Sequence, residues 1–371
     1  MQRLKLRLFA HSWTSDWNHG NAHFLRGLAY ELLKLGHDVR CYEEINSWSI
    51  CNLMREDPAK ARAAIKQFWS SFPGLDVRFF DSRLNFRQFA EDELAAADIV
   101  ALHEWTPLEV VNAVLALRMK LGFRALFHDT HHRAYTSPEE ISKLKVQRFD
   151  GVLAFGEALR RIYVQAFGAK RVWTFHEAAD VAHFTPFQTP RKTDVVWIGN
   201  WGDEERTREL EEFLLRPAAA LPDAKVAVHG VRYPESARTK LDEAGIEYRG
   251  YLPNLDTPRV YGESLLTLHV PRRFYANGLS GIPTIRVFEA LACGIPLVCS
   301  PWTDTDGLFR PGEDFLCVED SQAMEAEIRH LLRDDKARQQ MAARGLERIH
   351  QRHTCRHRAM QLLEICEELG K

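Results

Sequence analysis

Apolar and polar positions alternate along the chain in a pattern that predicts strands and helices in regular succession. The first apolar run, LKLRLFA, alternates with basic residues and predicts a β-strand. Apolar residues then recur at helical spacing from Phe24 to Leu33, Gly36 ends that helix, and DVRCYE begins a second strand. ADIVALHEW, RALFHDTH and DGVLAFGE are further short strands that each end in polar residues. This alternation predicts an α/β protein whose parallel sheets are covered by helices on both faces.

The regular pattern is interrupted at Ala178–Asp194, where AADVAHFTPFQTPRKTD contains two prolines and little periodicity. We interpret this segment as a linker. The alternation restarts with VVWIGN and continues through KVAVHG, EYRGYL and SLLTLHV. The sequence therefore predicts a Rossmann-like domain at residues 1–185, a second at residues 186–345, and a C-terminal helix at residues 346–371 that packs back on the first. In open sheets of this kind, ligands bind at the carboxyl ends of the strands.

Composition and charge narrow the class of protein. Of 371 residues, 45% are hydrophobic and 27% charged, and the formal net charge is −2, which argues against a dedicated nucleic-acid or membrane-surface binder. No apolar run approaches the length of about 18 to 20 residues that spans a bilayer, and the start of the chain is interpreted as a strand rather than a signal peptide. The seven cysteines are odd in number and form no CxxC pair, which favours free thiols and a cytoplasmic location.

In the second half, a turn and a helix follow the strand VVWI. The residues of the turn are Gly199, Asn200 and Trp201. A helix amino terminus suits a phosphate, and Arg206 and Arg208 could add charge-assisted bonds to a diphosphate. The alternative is a solvated helix face on which these arginines pair with the glutamates of the same helix, Glu204, Glu205 and Glu209. Gly230 ends the next strand and would let a base approach the backbone closely.

The apolar stretch SGIPTIRVFEALACGIPLVCSPW contains two charged residues, Arg286 and Glu289. Charged residues are rarely buried unless they are paired or in use. We expect a helix after Pro283 with Thr284 as its N-cap, so that both charges lie on one face near the helix start. A cation there opposes the helix dipole, which makes sense if an anion also binds. The alternative is an ion pair between positions i and i+3 on a partly exposed helix.

These motifs resemble those of GT-B glycosyltransferases. The chain is most similar to the spore-maturation (CgeB-type) proteins and to the family-1 and family-4-like transferases. The second half carries the resemblance in VWIGNWGDEER, GIEYRGYLP, LHVPRRFYANGLSGIPTIRVFEALACGIPLV and MAARGLERIHQRHT. The first half carries it in GNAHFLRGLAYELLKLGHDV and AFGEALRRIY. The resemblance implies two Rossmann-like domains that face a cleft, with a nucleotide-diphosphate sugar bound by the second domain and an acceptor by the first.

The resemblance also assigns roles in the second domain. Glu289 would accept hydrogen bonds from the ribose of the donor, and Arg286 would bind the diphosphate in a fixed fork. Eight residues before Glu289, where many relatives have a glutamate that contacts the transferred sugar, this chain has Gly281. Asn277 and Ser280 are further candidates for the sugar.

In the first domain, a polar run with two tryptophans joins the first strand to the first helix. Aromatic faces stack on sugar rings, so the run SWTSDWNHGNAHFLRG suits a sugar-lined cleft. Its polar and glycine positions are Ser15, Asp16, Asn18, His19, Gly20 and Asn21. Two later strands end in further polar groups, His103 and Glu104 after one, and His128, Asp129, His131 and His132 after the other.

Several catalytic assignments stay open at this point. His128 matches the histidine that bonds the donor sugar in retaining relatives. If the reaction inverts, the base that takes the acceptor proton is Asp16, His19, Glu104 or Asp129. The alternative is that the histidines are structural. A metal site at His128–His132 lacks regular ligand spacing.

The sequence thus predicts a cytoplasmic, metal-independent glycosyltransferase that needs no cofactor beyond its donor, a nucleotide-diphosphate sugar. Its acceptor is a glycan, a lipid-linked sugar or a small molecule, and its partners include no nucleic acid. A peripheral membrane contact and the oligomeric state stay open. The alternatives are a nucleotide-sugar epimerase of the same fold and a non-catalytic protein that binds nucleotide sugars. A Rossmann dehydrogenase is disfavoured because no GxGxxG follows the first strand.

Overall fold

The structure, a computed structural model, describes residues 2–202 and 204–371, and the side chain of Glu205 lies outside that description. The chain divides into two compact units. Unit 1 comprises the chain up to Glu177 together with Cys355–Lys371, and unit 2 comprises Ala178–Thr354. Each unit is built around one parallel sheet.

The sheet of unit 1 has seven parallel strands among the described residues, in the order β3-β2-β1-β4-β5-β6-β7. They are β1 Lys5–Phe9, β2 Asp38–Glu44, β3 Asp76–Phe80, β4 Ile99–His103, β5 Arg124–His128, β6 Gly151–Ala154 and β7 Val172–Thr174. The strand order reverses between β1 and β4, where Leu8 pairs with Ala101 on one side and Cys41 on the other. In doubly wound sheets such a reversal opens a crevice at the carboxyl ends.

The helices of unit 1 that follow these strands are α1 Ala22–Lys34, α2 Trp48–Glu56, α3 Pro58–Ser71, α4 Phe86–Leu94, α5 Leu108–Leu121, α6 Arg133–Thr136, α7 Pro138–Lys143 and α8 Glu157–Gln165. Local chemistry sets their ends. Asp57 caps α3 by accepting bonds from the backbone N–H groups of Ala59 and Lys60 at 2.9 and 3.0 Å. Gly122 ends α5 with a φ of +76°, a conformation that favours glycine.

The sheet of unit 2 has six parallel strands in the part of the chain described, in the order β10-β9-β8-β11-β12-β13. They are β8 Thr193–Ile198, β9 Val226–His229, β10 Ile246–Tyr248, β11 Ser264–His269, β12 Leu297–Cys299 and β13 Leu316–Cys317. The helices are α9 Glu204–Leu210, α10 Arg216–Ala219, α11 Glu235–Glu243, α12 Thr257–Gly262, α13 Arg273–Asn277, α14 Ile285–Ala292, α15 Ser321–Arg333 and α16 Asp335–Arg352. A π-helical turn at Glu211–Leu215 joins α9 to α10. Here the strand order reverses between β8 and β11.

The predicted linker packs within unit 2, so the units divide earlier than residues 185 and 186. Arg191 donates a hydrogen bond to the carbonyl oxygen of Gly262 at 2.7 Å. A Cβ atom at Gly262 would lie 2.5 Å from the carbonyl oxygen of Phe187, so the segment lies directly on α12. The backbone N–H of Ala179 donates to the carbonyl oxygen of His353 at 2.8 Å, and both residues belong to unit 2.

The last helix, α17 Cys355–Glu368, returns to unit 1 and packs against α1. Arg358 donates to the carbonyl oxygen of His176 at 2.9 Å, and Trp173 donates to Glu368 at 2.9 Å. The segment predicted at 346–371 is therefore divided, since its first residues belong to α16 of unit 2. Within residues 2–202 and 204–371, no helix is long and apolar enough to cross a membrane.

Candidate active site

Three arginines lie around the carboxyl ends of β8 and β11 in unit 2, and we refer to Arg206, Arg272 and Arg286 as the basic cluster. The guanidinium carbon of Arg206 lies 5.3 Å from the ring centroid of Trp197, the residue before the last of β8. A Cβ atom at Gly202 would lie 2.9 Å from a guanidinium nitrogen of Arg272 and 3.1 Å from Arg206. The glycine, whose φ is +84°, thus lets both arginine side chains pack on the turn after β8.

His269 connects the basic cluster to the start of α14. Its Nε2 is hydrogen-bonded to the hydroxyl of Thr284 at 2.9 Å, and its Nδ1 contacts the Sγ of Cys299 at 3.2 Å. Burial, followed by the charges of Arg206 and Arg286, lowers the pKa of His269 to about 3, so the imidazole is neutral. The positive charges of Arg206 and Arg286 therefore both lie near His269.

The helix of the charged stretch begins where the sequence indicates. Thr284 occupies the N-cap position of α14, but its side chain makes no capping bond to the helix. The hydroxyl bonds His269 instead. The first N–H groups of α14 are therefore without a side-chain cap, at the end of the helix where the dipole attracts negative charge.

Arg286 and Glu289 form the ion pair between positions i and i+3 that was the alternative interpretation of this helix. The Glu289 side chain is fully buried, and that of Arg286 is 23% exposed. The charge that faces outward is thus the cation, held in place by a carboxylate beneath it. Contact between Glu289 and a ribose stays a prediction.

The structure explains the glycine after β9, Gly230, differently from the sequence prediction. A Cβ atom at Gly230 would lie 1.8 Å from the carbonyl oxygen of Gly199, so the backbone of the neighbouring turn fills the space that a base was expected to approach. Asn200 accepts a bond from the backbone N–H of Val231 at 2.9 Å, and Tyr233 donates to Gly199 at 2.8 Å. The turns after β8 and β9 are therefore held together by Gly199, Asn200 and Gly230.

The remaining predicted donor residues lie in different surroundings. Trp201 is buried, with its ring 5.7 Å from that of Tyr233. Arg208 and Asn277 are exposed, and the hydroxyl of Ser280 donates to the carbonyl oxygen of Ala276 at 3.4 Å. Of the two arginines proposed for the helix after β8, the geometry thus favours Arg206 over Arg208.

Gly281 is enclosed by the loop after β12. Its φ is +88°, and a Cβ atom would lie 2.4 Å from both the Oδ1 of Asp306 and the hydroxyl of Thr305. Its backbone N–H bonds the carbonyl oxygen of Thr303 at 2.9 Å. A glutamate at this position would be strained and would clash with Asp306.

In unit 1, the turn between β1 and α1 is fixed by a buried ion pair. Arg26 bonds the carboxylate of Asp16 at 2.9 Å and the carbonyl oxygen of Trp13 at 2.6 Å. Both charged side chains are buried. Because its carboxylate is already paired in the interior, Asp16 is better placed to shape the turn than to take a proton.

The two tryptophans of this turn do not face solvent. Trp13 and Trp17 are buried, and their indole N–H groups bond the carbonyl oxygen of Tyr42 and the carboxylate of Glu56. The expectation that they line a sugar site is wrong, because both rings pack in the interior.

The other predicted residues of the turn lie at its outer side. Asn18 has a left-handed φ of +62°, and Gly20 bonds the N–H of His23 at 3.3 Å. Asn21 donates to the hydroxyl of Thr130 at 2.6 Å, which is bonded in turn to His103 at 2.8 Å. The structure thus brings together the ends of β1, β4 and β5, as the switch in strand order requires.

A row of five rings crosses this edge, and we call it the aromatic strip. Its members are Trp48, His19, His11, Trp105 and His131. Successive ring centroids are 5.8, 3.9, 6.1 and 5.6 Å apart. The two tryptophans, 48% and 40% exposed, face outward, and the three histidines are half-buried.

Sequence reasoning missed three members of the strip: His11, Trp48 and Trp105. Each lies within two residues of a predicted strand end or in the connection that follows it. The rule that ligands bind at carboxyl ends would have found His11 and Trp105. Nothing in the pattern separates Trp48 from the exposed Trp69 of α3.

Glu104 and Asp129 are buried beside each other after β4 and β5. Tyr163 donates to Asp129 at 2.6 Å, and the N–H of His131 does so at 2.8 Å. Burial and the charge of Asp129 raise the pKa of Glu104 well above its usual value, and burial raises the pKa of Asp129 to about 6. Two carboxyl groups buried in one site cannot both be charged at low cost, so the pair favours a state in which one of them carries a proton.

His128 is enclosed by aromatic rings. Its ring centroid lies 6.0 Å from that of Phe24 and 5.6 Å from that of Phe175. Among the described residues its buried Nε2 has no hydrogen-bond partner, and burial lowers the pKa of His128 to about 3. The ring of His132 lies 3.8 Å from that of His131. In the part of the chain that the structure describes, no three His, Cys, Asp or Glu side chains are placed to hold a metal ion.

Comparisons with known proteins agree with this architecture. Residues 206–364 match a family described as glycosyl transferase-like. The O-antigen chain mannosyltransferase B of Escherichia coli is 32% identical over 109 residues, which make up 29% of this chain and 27% of that protein. The match therefore spans little more than a quarter of that relative's length.

Solved structures resemble the chain over its whole length. HepE of Anabaena, in complex with UDP and glucose, superimposes with a TM-score of 0.72 at 13% identity, covering 98% of this chain and 100% of HepE. Sucrose-phosphate synthase of Thermosynechococcus elongatus superimposes with a TM-score of 0.66 at 15% identity, covering 99% of both chains. The GT-B fold and the resemblance to GT-B glycosyltransferases predicted from the sequence are confirmed. The narrower resemblance to the spore-maturation group stays a prediction.

Proposed function

We propose that this GT-B-fold chain is a glycosyltransferase that binds a nucleotide-diphosphate sugar in unit 2 and transfers the sugar to an acceptor. The observation that carries the proposal is the basic cluster. Arg206 and Arg272 pack together on the turn after β8, and Arg286 lies in the first turn of α14, whose N-cap side chain makes no capping bond. Fixed guanidinium groups at a helix amino terminus match the charge and shape of a diphosphate. The match of residues 206–364 to the glycosyl transferase-like family supports the same ligand.

The basic cluster also gives a reason why transfer would proceed without an added metal ion. As the bond between sugar and diphosphate breaks, negative charge accumulates on the leaving diphosphate. Arg286 is fixed by the buried Glu289 and needs little rearrangement to receive that charge. Charges that are in place before the reaction stabilise a transition state more than charges that must move.

Asp306 supplies a carboxylate at the position where relatives have the upstream glutamate. Its Oδ1 lies where a side chain of residue 281 would begin, five residues before Arg286 in the chain. We propose that Asp306, reaching in from the loop after β12, contacts the transferred sugar in place of that glutamate. The glycine and the aspartate would then act together, since the missing side chain of Gly281 leaves the space that the carboxylate of Asp306 fills.

Among the candidates for the acceptor base, His19 is the one that reaches the outer edge. Asp16 is paired with Arg26, and Glu104 and Asp129 are buried against each other. His19 is half-buried and lies on the aromatic strip. Burial lowers its pKa to about 3, while the charge of Asp16 raises it in part. For an inverting reaction, we propose the neutral imidazole of His19 as the group that accepts the proton of the acceptor hydroxyl.

The proposed function is tested first by nucleotide binding. UDP, GDP, dTDP and ADP are screened by thermal shift and then by calorimetry, and we expect one of them to stabilise the protein. Arg286→Ala should weaken its affinity by at least about tenfold, the equivalent of 1.4 kcal/mol. Arg216→Ala, which removes an exposed arginine paired with Glu212 on the same helical stretch, is the control and should bind normally. If none of the four nucleotides stabilises the wild-type protein, the proposal is wrong.

Product analysis separates the remaining alternatives. With the matching nucleotide sugar, a glycosyltransferase releases the nucleoside diphosphate, and the release accelerates when an acceptor is supplied. An epimerase would convert the donor into its isomer without release of nucleotide. A non-catalytic binding protein would return the donor unchanged.

A further inference from the structure

Three residues at the carboxyl ends of neighbouring strands in unit 2 form a row across the sheet. His269 ends β11, Cys299 ends β12 and Cys317 ends β13. The strand register pairs His269 with Cys299 and Cys299 with Cys317. Because directly paired residues of adjacent strands project to the same face of a sheet, the imidazole and the two thiols lie side by side. We refer to these three residues as the thiol row.

The two cysteines of the thiol row have the backbone spacing that a disulfide needs. Adjacent strands lie about 4.7 to 4.9 Å apart, which falls within the range of about 4.4 to 6.8 Å between the Cα atoms of disulfide-bonded residues. Both cysteines are free thiols, and a hydrogen bond joins their side chains. An S–S bond between them therefore requires only a small movement of two side chains that are already in contact.

The two thiols differ in exposure and in acidity. Cys299 is buried, whereas Cys317 is half-buried and can be reached from solvent. Burial raises the pKa of Cys299, so its sulfur keeps its proton. The hydrogen bond with Cys299 lowers the pKa of Cys317, which favours the thiolate, the form that reacts with peroxides. An accessible cysteine of lowered pKa beside a second cysteine that can resolve it is the arrangement found in redox-sensing proteins.

The thiol row is bonded to two segments that shape the proposed diphosphate site. The Nδ1 of His269 contacts the Sγ of Cys299 at 3.2 Å, and its Nε2 is bonded to the hydroxyl of Thr284 at 2.9 Å. The imidazole thus keeps that hydroxyl away from the first N–H groups of α14. Cys317 donates to the carbonyl oxygen of Trp302 at 3.9 Å, in the loop after β12. A change at the two sulfur atoms therefore reaches both the start of α14 and this loop.

We propose that Cys317 and Cys299 are a redox-active pair which a peroxide oxidises to a disulfide, and that the disulfide lowers the affinity of unit 2 for its nucleotide. The Cys317 thiolate attacks hydrogen peroxide, so that an S–O bond forms and the O–O bond breaks. The hydroxide that leaves takes up the proton that Cys317 had lost. The sulfur of Cys299 then attacks that of Cys317, the S–S bond forms, the S–O bond breaks, and the departing hydroxide takes the Cys299 proton. The two thiols lose two electrons and two protons, and one peroxide becomes two water molecules.

The effect on the nucleotide follows from the bonds that the disulfide replaces. In the disulfide the sulfur of Cys299 has no proton to share with His269 and is drawn toward Cys317. The imidazole loses the contact that fixes its ring, and the hydroxyl of Thr284 can turn to cap α14. A capping hydroxyl occupies an N–H group that a diphosphate would use. This effect rests on the proposed function, whereas the oxidation of the two thiols does not.

The disulfide is tested by peptide mapping of the whole protein. The protein is treated with stepwise additions of hydrogen peroxide, its remaining thiols are alkylated, and its peptides are analysed by mass spectrometry. We expect a peptide pair joined through Cys299 and Cys317, which disappears on reduction with dithiothreitol. In Cys299→Ser, which keeps a hydroxyl donor beside Cys317, dimedone should trap a sulfenic acid on Cys317. Cys317→Ser should form no joined pair, and melting temperatures identify any variant that fails to fold.

Cys51→Ser is the matched control. Cys51 is the exposed cysteine of α2 in unit 1, remote in sequence from the thiol row, and its removal should leave the joined pair unchanged. Oxidation of Cys51 in the wild-type protein also shows that the peroxide has acted. If Cys51 is oxidised and no peptide joins Cys299 to Cys317, the proposal is overturned, and the proposed function is unaffected.

Calorimetry before and after peroxide treatment tests the second part of the proposal. The nucleotide that the thermal-shift screen identifies should bind the oxidised protein about tenfold more weakly, and dithiothreitol should restore its affinity. In Cys317→Ser the affinity should be the same before and after treatment. Equal affinities in the reduced and the disulfide-bonded wild-type protein, or a loss that dithiothreitol does not reverse, would overturn the control of nucleotide binding. If no nucleotide binds the reduced protein, the proposed function fails, and the joined peptide pair alone decides whether the two thiols are redox-active.

Discussion

The backbone of Gly281 and the carboxylate of Asp306 are packed so closely that a Cβ atom added to the glycine would lie 2.4 Å from the Oδ1 of the aspartate. Real Cβ atoms do not approach other atoms this closely, so one of the two must move if residue 281 has a side chain. The two positions lie before the start of α14 and in the loop after β12, apart in sequence but adjacent in unit 2. Their fit explains a glycine that would otherwise look like the loss of a functional residue.

Gly281→Ala should destabilise unit 2 by about 2 kcal/mol or more, the sum of a strained positive φ and the clash with Asp306. The change is measured as the shift in the urea midpoint. Gly312→Ala is the control for strain, because Gly312 has nearly the same φ, +89°, and nothing within 4 Å of its added Cβ. Equal losses of unfolding free energy in the two variants would mean that the side chain of Asp306 moves aside without cost.

Asp306→Asn should slow sugar transfer by about 100-fold while leaving nucleotide affinity within a factor of two, as expected for a contact made to the reacting sugar and not to the diphosphate. The measurement is the steady-state rate with the donor that the nucleotide screen identifies, together with calorimetry. Asp223→Asn, at an exposed position of the same unit, serves as the control. An unchanged turnover in Asp306→Asn would show that the carboxylate has no part in transfer.

Arg286→Ala should cost about 3 kcal/mol of stability in addition to weakening nucleotide binding, because it removes the cation that is paired with the fully buried Glu289. The double variant Arg286→Met, Glu289→Gln removes both charges and should recover most of that loss. Chemical unfolding of the two variants checks this. The nucleotide affinity should stay low in the double variant, which separates the role of the cation in binding from its role in folding.

Glu104→Gln should become more stable relative to the wild-type protein as the pH rises from 5 to 8. The pKa of Glu104 is raised in the fold, so its contribution is present below its unfolded pKa and is lost as the pH rises through its folded pKa. The pKa of Asp129 is raised to about 6 in the same site, so its contribution to the stability of the fold is also lost as the pH rises. One such group changes the free energy of unfolding by at most about 1.4 kcal/mol per pH unit.

The measurement is the difference in melting temperature between Glu104→Gln and wild type across that pH range. Glu91→Gln, at a surface carboxylate paired with Lys120, is measured beside it as the control substitution. A flat difference for Glu104→Gln would mean that the two buried carboxyl groups do not compete for a proton.

The alternation of strands and helices could be predicted because it depends on local patterns. Strands such as β4 are buried along their whole length and stand out as apolar runs, and α14 begins at Ile285, directly after the predicted cap. The unit boundary could not be placed in the same way. Residues from Ala178 onward lack periodicity, yet they pack on unit 2 through contacts such as Phe187 with Gly262, which no local pattern records.

The site shows the same division. Polar residues after strands were recognisable, so His19, Asn21, Arg206 and Arg286 could be singled out from the chain. The burial and pairing of the site residues could not be predicted, because each depends on a partner distant in sequence. Asp16 is neutralised by Arg26, the hydroxyl of Thr284 is drawn to His269, and Trp13 and Trp17 turn inward.

The sequence by itself determined two Rossmann-like halves and the strand ends at which chemistry collects, since hydrophobic periodicity and the parallel βαβ arrangement fix both, and its resemblance to GT-B glycosyltransferases implied the GT-B fold. The tertiary structure alone decided which of those residues are exposed, which are paired and which rings form the aromatic strip. It also decided that the carboxylate of Asp306 lies where a side chain of residue 281 would begin. The reason is physical: burial, pairing and close approach are relations between residues that only packing brings together.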